Sequence, residues 1–286
     1  MDVTRLPRPV GYVLGGGGSL GAIQVGMLQA LAEQAVTPDV VAGTSVGSLN
    51  GAVVAMDPMN APTLLAGIWP QMTRNTVFPG GLIAQARTLQ RTKTHLFPNT
   101  GLAGVITKFL GAAMSFADLS LPFAAVAMDV ATARPYVLRH GPLLPALLAS
   151  AAIPGIFPPV DDGPRRLYDG GVVANVPMRQ AIAMGARSLV VLDCSFPGHP
   201  PAPPQSLPEV LMYTALVTMR SQAVLEAPLI AADVPVVYLP GPAPIPVSPF
   251  DFAHTGALIA GARDAARSFL DHLDVQGPGL YGAPSV

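Results

Sequence analysis

Hydrophobic positions along the chain alternate between short unbroken runs and a three-to-four-residue spacing. Residues 10–14, VGYVL, form an apolar run that meets four glycines, and SLGAIQVGMLQALAEQ then carries apolar side chains at helical intervals. The pattern predicts strand, glycine loop, helix, with the helix opening at Ser19. A turn at AVTPD leads into VVA, and GTSVG passes into a second helix from Val46 to Ala55. Two strands joined by a helix are expected to be parallel with a right-handed crossover. The glycine loop and Ser45 then sit at the carboxyl ends of neighbouring strands, where α/β sheets bind ligands.

Residues 60–121 read as mostly helical, broken at FPGG and FPNTG, and are expected to form helical cover or a lid rather than a separate domain. LPFAAVAMDV and RPYVLRH resemble two strands around a short turn at ATA, followed by the helix PLLPALLASAA. RSLVVLDC and VPVVYLP continue the sheet. FPGHPPAPPQSLPE and PGPAPIPVSPF are proline-rich enough to be extended surface loops, separated by a helix over 208–226, and a last helix is expected over Thr255–Leu273. No internal repeat is evident.

Composition narrows the class. The 286 residues are 50% hydrophobic and only 12% charged, which fits one heavily buried α/β domain spanning 1–286. A net charge of -1 with scattered lysines and arginines gives no electrostatic footprint for nucleic acid. The single cysteine, Cys194, excludes an internal disulfide and ends a buried run, so it reads as a core thiol. No export signal is recognised at the N-terminus and no apolar run is long enough to span a bilayer, so the reading is cytoplasmic, with any membrane touched from outside. Oligomeric state is not written in the sequence.

Three motifs carry candidate chemistry. GGGSLG, residues 16–21, satisfies G-x-G-x-x-G between a strand and a helix, the pattern of a dinucleotide loop. The second strand, however, delivers GTSVG at its carboxyl end where that fold needs an acidic residue for the ribose, and Asp39 precedes the strand. An oxyanion loop is the stronger reading, because glycines let successive N–H groups converge and the following helix adds its positive end. GTSVG places Ser45 on a strand-to-helix turn, between Gly43 and Gly47. A serine nucleophile needs a base, yet the histidines are poorly placed: His95 in the helical region, His140 after a strand, His199 in a proline-rich loop and His272 in the last helix. His254, ahead of that helix, is the histidine kept as a candidate. Asp169 in RLYDGGVVANVP is the better base, provided burial raises its ordinary pKa of about 3.9.

GGGSLG, GTSVG and DGG in that order, with SAAIPGIFPPV and DGGVVANVPMRQAIAMGARSLVVLD around them, resemble the patatin-like phospholipase family over residues 10–193. The resemblance implies a three-layer α/β sandwich, with a mostly parallel central sheet and helices on both faces. Residues 196–286 would supply proline-rich loops and C-terminal helices completing the domain. It assigns Ser45 as nucleophile, Asp169 as base, Gly16, Gly17 and Gly18 as oxyanion donors, and Gly21, Gly43, Gly47, Gly170 and Gly171 as turn-shaping residues. No cofactor or metal is implied, and the partner is a lipid or ester substrate. Many members carry Arg or Lys where this chain has Leu20, which puts a preference for anionic head groups in doubt. The alternatives are a nucleotide-binding regulator using the glycine loop and a non-catalytic lipid-binding protein; transfer of the acyl group to an alcohol also stays open.

Overall fold

The computed structural model describes residues 5–194, 203–242 and 247–284. The first half of the chain runs β1 (Val10–Leu14), α1 (Ala22–Glu33), β2 (Val40–Thr44), α2 (Val46–Met56), α3 (Ala61–Ile68), α4 (Arg74–Val77), α5 (Leu82–Thr92) and α6 (Thr100–Leu110). Then come β3 (Phe123–Asp129), β4 (Arg134–Leu138), α7 (Leu143–Ser150), β5 (Val160–Asp162), β6 (Arg165–Asp169), α8 (Gly171–Ala174) and α9 (Met178–Ala183). The chain closes with β7 (Ser188–Leu192), α10 (Leu207–Ala231), β8 (Pro235–Tyr238), α11 (Thr255–Asp271) and β9 (Gly279–Tyr281).

The nine strands of the described residues join one mixed sheet in the order β5-β6-β3-β2-β1-β7-β8-β9, with β4 paired to β3. The run β3-β2-β1-β7-β8-β9 is parallel, and β4, β5 and β6 pair antiparallel. Alternate residues of the buried strands feed two cores. Tyr12, Leu14, Val41, Val190, Leu192 and Val237 join the core under α1, α2, α3, α6, α7 and α11. Val13, Val40, Ala42, Leu189, Val191 and Val236 face the other way, against α9 and α10. Where the sheet is covered on both faces it has no solvent side, which is why its central strands β1, β2, β7 and β8 are fully buried and read as unbroken apolar runs. The predicted three-layer α/β sandwich is therefore present.

Some boundaries differ from the expectation. Gly18–Gly21 forms a 3-10 turn, so the α-helix proper begins at Ala22 and not at Ser19. The helix expected over 208–226 continues through Pro228 to Ala231, and the last helix stops at Asp271. β5 and β9 are three-residue strands without a fully buried residue, too short and too exposed to leave a period in the sequence. His199 and parts of both proline-rich loops lie outside the described residues. Among the described residues no helix is long and apolar enough to cross a membrane.

Candidate active site

Sheet register brings the two candidate reactive residues together. Val126 of β3 pairs with Thr44, the last residue of the parallel strand β2, and Ala127 pairs with Asp169, the last residue of the antiparallel strand β6. Along its other edge β3 keeps β4, through Ala125–Asp129. β2 and β6 therefore meet head to head on the same side of β3, in consecutive register positions. Ser45 follows Thr44 directly, so 124 residues of sequence separation collapse to one step of a strand. The carboxyl-end geometry expected for the glycine loop is also present, since β1 lies next to β2 and hands the chain to Gly15.

Ser45 occupies a sharp elbow with φ 54 and ψ -127, left-handed backbone that a non-glycine residue adopts only at a cost of roughly 1–3 kcal/mol. The surroundings hold it there. Its N–H donates to the Ser150 hydroxyl at 3.0 Å, and that hydroxyl donates onward to the Val126 carbonyl at 2.6 Å. Its carbonyl accepts from the Ser48 N–H at 2.9 Å and the Ser48 hydroxyl at 2.7 Å. The turn closes so tightly that a Cβ at Gly43 would strike the Gly47 carbonyl, and one at Gly47 would strike the Leu14 carbonyl. Helix α2 starts at Val46, directing its positive end toward Ser45.

Asp169 is 2% exposed. Its carboxylate accepts from the Gly171 N–H at 2.7 Å, across a turn in which a Cβ at Gly170 would strike the Val126 carbonyl. Burial raises its pKa from 3.8 to about 6, against smaller lowering effects from hydrogen bonding with the Ser45 side chain and the Gly171 N–H. Because the folded pKa lies above the ordinary one, the native state holds this proton more tightly, and stability falls as pH rises from 3.8 through about 6. Asp169→Asn is accordingly expected to gain up to about 3 kcal/mol at pH 8, read as a raised denaturant midpoint. That gain should shrink as the pH falls through about 6 and be nearly gone by 3.8.

The glycine loop departs from its reading at one residue. The Gly16 N–H donates to the Asn175 carbonyl at 3.1 Å, so it is not a free donor for a substrate oxygen. Gly17 and Gly18 donate to no carbonyl among the described residues, and Gly18 lines the cleft beside Ser45. Gly16 is instead where the loop crowds Asn175 and Ser45: a Cβ there would stand 2.6 Å from Asn175 Oδ1 and 3.1 Å from Ser45 Cβ. Gly21 faces Val46 and the Trp69 ring, and Gly171 faces Asn175 Oδ1. Leu20, where many family members carry a cation, is buried in the main core and is not among the side chains that line the cleft. Cys194 is a buried thiol behind the loop, as its sequence context indicated; burial pushes it further from ionisation.

Four further polar residues support the glycine loop and the elbow and were not singled out from the sequence. Ser150 and Asn175 are buried, and so is Gln24, whose side-chain amide donates to the carbonyls of Gly15 at 2.8 Å and Leu192 at 3.0 Å. Asn50 links Gln24 to the Trp69 indole N–H. For Gln24 and Asn50, a polar residue inside an otherwise apolar helix was the available signal, since such groups stay buried only when paired. Ser150→Ala strands the buried Ser45 N–H and should lower stability by about 1–3 kcal/mol in urea titration.

Ser45 and Gly18 open onto a cleft continuous with solvent, about 790 Å³ of empty space with its open mouth included, walled by side chains such as Leu65, Trp69, Phe78, Ile106, Phe109 and Phe157. Most of this wall comes from the segment read as helical cover. None of the described histidines lines it; His254 instead pairs with Asp251 at 3.5 Å and is half exposed.

Residues 12–182 match the family described as Patatin-like phospholipase. The chain belongs to the patatin-like phospholipase family. This patatin-like domain is 32% identical over 203 residues to mouse patatin-like phospholipase domain-containing protein 7, covering 67% of the chain and 14% of that protein. It is 34% identical over 202 residues to the Caenorhabditis elegans patatin-like phospholipase domain-containing protein ZK370.4, with the same coverage of 67% and 14%. Lysophospholipase NTE1 of Mycosarcoma maydis is 30% identical over 206 residues, 67% of the chain and 10% of that protein. The chain thus spans only 10–14% of the length of these relatives. Among solved structures, VipD from Legionella pneumophila shares the fold, with a TM-score of 0.51 at 14% identity over 93% of this chain and 67% of that one.

Proposed function

We propose that this patatin-like domain hydrolyses lipid esters of the phospholipase A or lysophospholipase class with a serine–aspartate dyad. The observation that carries the reading is the head-to-head meeting of β2 and β6 on one edge of β3, which sets a buried carboxylate beside Ser45 at the mouth of an apolar cleft. Ser45 Oγ attacks the ester carbonyl and forms the acyl-enzyme bond, while Asp169 accepts the hydroxyl proton and then passes it to the departing alcohol. Water then attacks the acyl carbonyl, Asp169 takes its proton, and as the acyl–Oγ bond breaks to release the fatty acid that proton returns to Ser45 Oγ. Gly17 and Gly18 supply N–H groups to the carbonyl oxygen as it gains charge, and the apolar wall takes the acyl chain. A carboxylate raised toward neutrality is a far better base than one near 4.

Two expectations follow from these roles. The base must be unprotonated to act, so kcat/KM should fall about tenfold per pH unit below the Asp169 pKa of about 6 and level off above it. A flat profile between pH 4.5 and 8 would remove Asp169 as base. Both reactive groups come from the chain itself, and among the described residues no three His, Cys, Asp or Glu side chains come together as a metal site. Fatty-acid release from lysophosphatidylcholine should therefore be unchanged by a chelator. Absence of release from lysophosphatidylcholine, phosphatidylcholine and a soluble p-nitrophenyl ester alike would favour a lipid-binding role without turnover.

A further inference from the structure

Helix α5 is built inside out. Its half-buried positions, Gln85, Thr88 and Thr92, recur at helical spacing and are polar, and no residue of the helix is fully buried. Leu82 and Ile83 are 83% and 72% exposed, and Leu89 stands out with them at 45%. A surface helix on a water-soluble domain normally turns its apolar stripe inward. Here the stripe faces away from the protein, bordered by exposed Arg87 and Arg91, with Lys93 at the end of the helix.

The stretch of chain that carries this helix has charge of one sign. Between Asp57 and Asp118 the sequence contains no Asp or Glu, and its lysines and arginines are Arg74, Arg87, Arg91, Lys93 and Lys108. Over the whole chain the two signs balance, 16 basic against 17 acidic. None of the three α5 cations forms an ion pair among the described residues. The excursion also begins and ends on the cleft wall. Phe78, which lines the cleft, packs edge-on against Phe97 at 5.4 Å and stacks on Phe157 at 5.3 Å. The Phe97 N–H donates to the Ile156 carbonyl at 2.9 Å, so residues 79–96 leave the wall and return to it at one place.

We propose that the outward face of α5 is a docking surface for an anionic lipid bilayer, placed to seat the cleft rim at the membrane. Leucine and isoleucine beside arginine and lysine on a helix without acidic residues is the composition that lies in a membrane interface. The cations also select the occupant: a second copy would oppose its own Arg87, Arg91 and Lys93 with no carboxylate on the same segment, whereas anionic head groups neutralise them. This assignment goes beyond the hydrolase reading and is tested without it.

Binding is measured by sedimentation with vesicles of pure phosphatidylcholine, or of equal parts phosphatidylcholine and phosphatidylglycerol, using Ser45→Ala protein so that no lipid is consumed. At low salt the anionic vesicles should bind at least about tenfold more tightly. Arg87→Gln/Arg91→Gln should remove most of that preference, and Leu82→Gln/Ile83→Gln should weaken binding to the anionic vesicles by on the order of tenfold. In the wild-type background both pairs should leave hydrolysis of a soluble short-chain ester unchanged and fold normally, as these side chains are exposed. No vesicle binding by the parent protein, or equal binding by the Leu82→Gln/Ile83→Gln variant, overturns the proposal. So does a dimer in gel filtration that this variant abolishes, since a second copy would then cover the stripe. Failure of the soluble-ester assay in wild type would count against the hydrolase alone.

Discussion

Ser45→Ala is expected to abolish ester hydrolysis, by on the order of 10⁴-fold or more in kcat, with little change in fold stability. Only the hydroxyl is deleted; the hydrogen bonds that hold the elbow use the Ser45 backbone and reach Ser150 and Ser48. The elbow should therefore persist, with the cleft and its affinity for an acyl chain intact. Asp169→Asn should come close to the same loss. An asparagine keeps the shape and can still accept from the Gly171 N–H, yet an amide cannot take the serine proton. The two single losses should not add in the double variant, because a nucleophile and its base act as one unit. Steady-state hydrolysis of a p-nitrophenyl ester checks all three. Ser45→Ala retaining a tenth of the wild-type rate would place the nucleophile elsewhere.

Gly16→Ala is expected to lower kcat by about 10²-fold or more while KM for a soluble ester changes little. The added methyl would lie 2.6 Å from Asn175 Oδ1 and 3.1 Å from Ser45 Cβ, contacts that force the loop and the serine apart. The loss comes through position, not through a deleted donor, because the Gly16 N–H already serves the Asn175 carbonyl. Moving Gly17 and Gly18 by even about 1 Å withdraws their N–H groups from a developing oxyanion, which in studied enzymes costs roughly 3–4 kcal/mol per donor. Titration of KM against kcat separates this from general damage. A raised KM at unchanged kcat would show that the loop serves ground-state binding instead.

How far the sequence carried this site depended on the range of the forces involved. The elbow was legible because its demands are local: Gly43 and Gly47 lie two residues from Ser45, and their backbone crowding admits no other residue. The parallel β1–β2 pair followed from a helix of the right length between two apolar runs. Asp169 was legible as a turn residue before two glycines, but its neighbour across the strand was not. Antiparallel pairing of β6 beyond the end of β2 is decided by which edge of β3 is free after β4 has paired, a contest no local pattern records. The same holds for Asn175 and Ser150, ordinary residues in sequence whose importance lies in the distant groups they bind. Assigning Gly16 as an oxyanion donor failed for this reason too: three successive glycines look equivalent until a carbonyl from another segment claims one of them.

The claim that Ser45 is made nucleophilic by Asp169 is tested most directly by labelling with a fluorophosphonate probe and locating the adduct by peptide mass spectrometry. The account predicts one adduct, on Ser45, formed rapidly by wild type and at least about 10²-fold more slowly by Asp169→Asn, with none in Ser45→Ala. An adduct on any other residue, or equal labelling rates in wild type and Asp169→Asn, would contradict it.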